Sequence, residues 1–250
     1  MAIYTVSDIH GYYDLFLKGL SEIHFSEGDF LWCLGDMIDR GPDGIKILQH
    51  IMNHDNMDLL IGNHELMLLN SVDGSGEAIC NGKDVYLWLD ANGGRFTFYQ
   101  YKTLLKKDRI NLLVWMRQRY VVRKVFIDND TYCLTHSFYD PKCENKRYCE
   151  LSYSDVWNIT WSSIWREDDL TQSLNIYPQY PYTFITGHVP VQTIRKRYKA
   201  DQEWSLLKSF SIDNMICIDG GCAMGSINEV ANGLIFLRLD DMSEYAINLE

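Results

Sequence analysis

The sequence predicts an α/β fold with a largely parallel sheet, in one domain over residues 1–250. Three observations carry that expectation. Short apolar runs alternate with segments whose apolar residues recur at helical spacing. Each early run stops at a polar loop bearing glycine. No repeat, low-complexity tract or linker interrupts the chain, and a hydrophobic content of 46% suffices for a sizeable core.

Ile3-Tyr4-Thr5-Val6 reads as the first strand and runs into Ser7-Asp8-Ile9-His10-Gly11. Leu15, Leu17, Leu20 and Ile23 then give a helix its apolar face. Phe30-Leu31-Trp32-Cys33-Leu34 is the second strand. It is followed by Gly35-Asp36-Met37-Ile38-Asp39-Arg40-Gly41-Pro42, with breakers at both ends. Ile45, Ile47, Leu48 and Ile51 mark the next helix, and Leu59-Leu60-Ile61 a third strand ending at Gly62-Asn63-His64-Glu65. Residues 71–118 read as a helical insertion, with helices over Lys83–Ala91, Phe96–Lys107 and Ile110–Arg117. Tyr120–Ile127 and Thr131–Leu134, joined through Asp128-Asn129-Asp130, read as a hairpin that ends at His136. Phe138–Tyr182 is rich in tyrosine, tryptophan and polar residues with little periodicity, which suits a long lid or substrate wall. Phe184-Ile185-Thr186 stops at Gly187-His188. Met215–Ile218, Leu234–Leu237 and Tyr245–Leu249 complete the strands, with Gly220-Gly221 as a turn.

A formal net charge of −11 argues against a broad nucleic-acid surface. No apolar run reaches the roughly 20 residues of a membrane span. The first residues lack the basic region and cleavage site of a signal peptide, so a cytoplasmic protein is expected. The seven cysteines match no zinc spacing and read as reduced, although Cys143 and Cys149 share a polar loop.

Asp8, His10, Asp36, Asp39, Arg40, Asn63, His64, His136 and His188 all fall at expected strand ends, where ligands of parallel sheets bind. Any one of them alone is more often a helix cap, a turn residue or a core histidine than a ligand. Together they make a donor set without cysteine, suited to manganese, iron or zinc. There are enough donors for two ions if one carboxylate bridges, and Asp36 is central. Two ions about 3.5–4 Å apart can clamp both oxygens of an in-line displacement at phosphorus.

Asp8-x-His10, Gly35-Asp36-x-x-Asp39-Arg40-Gly41, Gly62-Asn63-His64-Glu65, His136 and Gly187-His188 resemble the phosphoprotein phosphatase family of calcineurin-like metallophosphoesterases. The likeness is greatest to the small bacterial and phage-type serine/threonine phosphatases. The resemblance implies mixed central sheets flanked by helices in an αββα arrangement. It implies two divalent ions, with manganese expected and iron or zinc as alternatives. Asp8, His10 and Asp36 would hold one ion, and Asp36, Asn63, His136 and His188 the other. His64, paired with Asp39, would be the general acid. Arg40 and Arg166 would grip the phosphoryl group, and activated water would attack directly. Where the family usually has a small residue and glycine after the fourth-motif histidine, this chain has Ser137-Phe138. The implied substrate is phosphoserine or phosphothreonine in a protein, or a small phosphoester. Symmetrical hydrolysis of dinucleoside polyphosphates is the alternative. The related tetraphosphatases often lack the aspartate that Asp39 supplies.

Overall fold

The computed structural model describes residues 1–77, 83–165, 170–198, 205–225 and 230–249. The chain opens with β1 (Ile3–Val6), α1 (Tyr13–Glu22), β2 (Phe30–Cys33), α2 (Gly44–Met52), β3 (Met57–Leu59) and α3 (Asn63–Asn70). The insertion follows as α4 (Lys83–Tyr86), a π-helical turn over Leu87–Ala91, α5 (Arg95–Thr103) and α6 (Lys106–Arg117). Then come β4 (Val122–Ile127), β5 (Asp130–Thr135), α7 (Tyr153–Trp161), α8 (Leu170–Ile176), β6 (Thr183–Thr186) and α9 (Val191–Tyr198). The chain finishes with β7 (Phe210–Ile212), β8 (Met215–Cys217), β9 (Gly233–Arg238) and β10 (Glu244–Asn248).

Two five-stranded mixed sheets result, ordered β10-β9-β1-β2-β3 and β4-β5-β6-β8-β7. The expectation of a largely parallel sheet holds for three strands of each. Strands β1, β2 and β3 run parallel, as do β5, β6 and β8, while β9, β10, β4 and β7 pair antiparallel. Each parallel trio therefore sends its C-terminal ends in one direction. The hairpin turns as expected, with Ile127 facing Asp130 and Asp128 in left-handed backbone.

Burial explains the central strands. Leu31, Cys33, Leu59, Cys133, Leu134, Phe184 and Ile185 are fully buried, and each large apolar side chain so placed stabilises the fold by about 1.5–3 kcal/mol. Helix α2 buries Ile45, Ile47, Leu48 and Ile51, the expected face. Helix α1 buries Leu15, Phe16 and Gly19 instead of Leu17, which is exposed. Gly19 has a steric reason: a Cβ there would collide with the ring of Phe236 on β9.

Among the described residues of 138–182, aromatic side chains pack into the core of the second sheet. Tyr139, Tyr177, Tyr180 and Tyr182 surround Phe184 with ring centroids 4.9–5.8 Å away, edge-on contacts that add to simple burial. Trp165 is buried, and its indole N–H donates to Thr186 Oγ1 at 2.7 Å. Cys143 is buried and Cys149 exposed, and both are free thiols. Among the described residues no helix is long and apolar enough to cross a membrane.

Candidate active site

The loops after β1, β2, β5, β6 and β8 and the N-terminus of α3 converge on one cleft. A cavity of about 290 Å³ there is lined by His10, Asp36, Arg40, His64, His188 and Asp219, among others. The first two loops are tied together by backbone: Asp8 N–H donates to Gly35 O at 3.1 Å and His10 N–H to Asp36 O at 2.9 Å. Fully buried Glu65 accepts from the backbone N–H groups of Asp36 at 2.8 Å, Met37 at 2.8 Å and Gly62 at 3.0 Å. That one carboxylate locks the β2 loop to the start of α3.

The backbone here is held in sparsely populated conformations. Asp8, His10, Asp36, Asp39, Arg40 and His188 all have positive φ, between 49° and 71°. Non-glycine residues in that region cost energy and persist where surrounding structure over-determines them. The network just described supplies that constraint.

Nine of the ten residues singled out from sequence meet in this cleft. Asp36 is central: its Oδ2 lies 3.8 Å from His10 Nε2, 3.8 Å from His64 Nε2 and 3.5 Å from His136 Nε2. Asp8 Oδ1 is 3.9 Å from His10 Nε2. Asn63 Oδ1 stands 3.0 Å from both His136 Nε2 and His188 Nδ1, which are 3.2 Å apart. Arg40 borders the cavity, its backbone N–H donating to Gly93 O at 3.2 Å. Arg166 lies outside the described residues.

This donor set fits cations. Two groups, His10–Asp36–His64 and Asp36–His136–His188, bring ligand atoms within 4.8 Å of one another and share Asp36. His10 Nδ1 is 3.1 Å from Ile38 O, and His136 Nδ1 is 2.8 Å from Leu34 O. Those carbonyls place the ring proton on Nδ1 and leave each Nε2 lone pair facing Asp36. Asn63 Oδ1, His136 Nε2 and His188 Nδ1 thus crowd together as three candidate ligand atoms. Burial, followed by the charges of Asp8 and Glu65, pushes the Asp36 carboxyl well above the usual range. Burial likewise raises Asp8 and Asp219 and lowers His10. Carboxylates pushed toward protonation by burial, beside a His10 imidazole that burial keeps neutral, are what a divalent ion relieves.

The second unit is His64 with Asp39. His64 Nδ1 is 2.6 Å from Asp39 Oδ2, and both side chains are buried. Burial raises Asp39 to about 7, opposed by hydrogen bonds from Thr97 and Trp88 and by the charge of Arg40. Burial, then Arg40 and His136, pushes His64 well below 6.5. The pair thus holds one proton near neutrality.

Sequence reasoning missed three participants. Asp219 follows β8 as Asp8 follows β1, and its strand-end position was a usable signal. Glu65 was visible in its motif, but its role needs three converging N–H groups. Trp88 gave no signal, because it reaches Asp39 from a separate insertion.

A family model described as calcineurin-like phosphoesterase matches residues 1–217. Serine/threonine-protein phosphatase 2 of Salmonella typhimurium is 32% identical over 196 residues, covering 76% of this chain and 80% of that protein. The symmetrical bis(5'-nucleosyl)-tetraphosphatase of Nitrosospira multiformis is 31% identical, covering 96% of this chain and 94% of its own. A crystal structure of a putative diadenosine tetraphosphatase superposes with a TM-score of 0.59 at 15% identity, covering 100% of this chain and 94% of that one. It speaks to the fold alone.

Proposed function

The chain belongs to the calcineurin-like phosphoesterase family and hydrolyses phosphoesters, and we propose that its substrates are phosphomonoesters, foremost phosphoserine and phosphothreonine in proteins. The observation that carries this reading is the 2.6 Å contact between His64 Nδ1 and Asp39 Oδ2 at the cavity edge. An alkoxide leaving from a serine or threonine ester is strongly basic and needs a proton as the bond to phosphorus breaks. A phosphate leaving from an anhydride does not. A buried carboxylate that orients an imidazole and keeps its proton available supplies what the ester requires.

In this reading Asp8, His10 and Asp36 hold one divalent ion, and Asp36, Asn63, His136 and His188 the other. Manganese is expected, with iron or zinc as alternatives. When bound, two such ions supply an activated water and neutralise charge on the phosphoryl oxygens. Arg40, at the cavity mouth, forks onto the phosphoryl group. His64 Nε2 gives its proton to the leaving oxygen, and Asp39 stabilises the imidazolium until that moment. In this reading His64 stays outside the ligand set and keeps its Nε2 proton for the leaving oxygen. Arg166 is assigned phosphate contact from its sequence position only.

The relative from Nitrosospira multiformis, similar over almost the whole chain, favours a second reading: symmetrical cleavage of dinucleoside tetraphosphates. Side-by-side turnover of a phosphoserine peptide and diadenosine tetraphosphate decides. A faster peptide reaction is expected, with His64→Asn lowering it by about 10²–10⁴-fold while retaining metal. Faster tetraphosphate cleavage, or a fully active His64→Asn, overturns the proposal.

A further inference from the structure

The helical insertion reaches the acid pair from outside the cation-binding cluster. Trp88 is fully buried on the π-helical turn Leu87–Ala91. Such turns are rare and recur at functional sites. The Trp88 indole N–H bridges both carboxylate oxygens of Asp39, at 3.0 Å to Oδ1 and 2.8 Å to Oδ2. Nearby residues fix the indole in turn. Gly94 N–H donates to Trp88 O at 2.9 Å, and Phe98 meets the indole edge-on at 6.0 Å. A Cβ on Gly94 would collide with Trp88 Nε1. The same insertion accepts from Arg40 N–H through Gly93 O and from Asp39 N–H through Thr97 Oγ1 at 2.9 Å.

A carboxylate turns easily about its terminal torsion. Contacts to His64 and Thr97 alone hold the plane of Asp39 less firmly. A donor bridging both oxygens removes that freedom. A buried tryptophan needs only some acceptor for its N–H, and a backbone carbonyl would serve packing equally well.

We propose that Trp88 is a positioning residue for proton delivery: it sets the Asp39 carboxylate plane, which sets the His64 ring. This rests on the reading of His64 as general acid. The partition between substrates tests it. p-Nitrophenolate leaves without a proton, whereas a serine alkoxide does not, so misplacing the acid should slow only the serine ester.

Trp88→Phe keeps an aromatic ring and deletes the N–H. We expect kcat on a phosphoserine peptide to fall about tenfold, with KM unchanged and p-nitrophenyl phosphate turnover altered less than about twofold. Gly94→Ala, which crowds the indole without removing it, should give the same split and serves if Trp88→Phe does not fold. His64→Asn, measured alongside, should give a larger split. Equal losses on both esters in the tryptophan or glycine variant, with the split present in His64→Asn, overturn the role of Trp88. Equal losses in His64→Asn overturn the acid assignment and the positioning role with it.

Discussion

Replacing Asp39 with asparagine should change how stability depends on pH, and the size follows from the pair's proton count. In the ion-free folded protein, burial lifts Asp39 to about 7 and holds His64 well below 6.5, so the pair keeps one proton up to about pH 7. In the unfolded chain Asp39 loses its proton near 3.8 and His64 takes one below 6.5. The unfolded pair therefore also carries one proton between those values. Equal counts mean the pair adds almost no slope to stability across that window. In Asp39→Asn the folded site has no carboxyl proton, and His64 stays neutral through burial, while unfolded His64 still binds one. A histidine with a depressed folded pKa contributes stability that is present above the unfolded value and lost as pH falls. Relative to wild type the variant should lose stability progressively as pH falls below 6.5, by up to about 1.4 kcal/mol per pH unit until folded His64 itself takes a proton. Asp8, Asp36, Glu65 and Asp219 titrate in both proteins, and Asp39 bears on Asp36 less than burial, Asp8 and Glu65 do, so their contributions largely cancel in the difference. Urea unfolding of both proteins with chelator, at pH 5, 6 and 7, reads it directly. A difference constant with pH would refute the claim that the pair shares one proton.

Glu65→Ala should cost more than about 3 kcal/mol, because it strips the acceptor from three buried N–H groups; urea denaturation checks it. Arg195 donates to the carbonyls of Leu206 at 3.0 Å, Lys208 at 2.7 Å and Ser209 at 2.6 Å. Arg195→Leu should therefore destabilise by about 2–4 kcal/mol while sparing ion binding, seen as a lowered Tm with unchanged manganese content. Asp36→Asn should lose both ions, since both ligand groups share that residue; finding two ions in the variant by elemental analysis would contradict a bridging role.

What was legible in the sequence was the half of the site built by local order. Asp8, Asp36, Asn63, His136 and His188 each follow an apolar run that ends in a polar or glycine break, and a parallel strand must release its ligands there. Two kinds of feature stayed hidden. Helices α7 and α8 lie in a stretch where tyrosine and tryptophan serve both core and surface, so no apolar period stands out: Trp165 is buried while Tyr153 is 48% exposed. Long-range polar contacts form the other kind. Trp88 meets Asp39 across 49 residues, and nothing local in either segment records that meeting. The direction of β9 escaped for a similar reason: the strand itself was legible, but its antiparallel pairing with β1 depends on a partner more than two hundred residues away.

Manganese titration of chelator-stripped protein, with bound metal and phosphate release followed together, tests the cation cluster most directly. Two ions per chain are expected, with turnover returning only as both sites fill. Full turnover with fewer than one bound ion per chain would contradict the assignment of the strand-end cluster as the reaction centre.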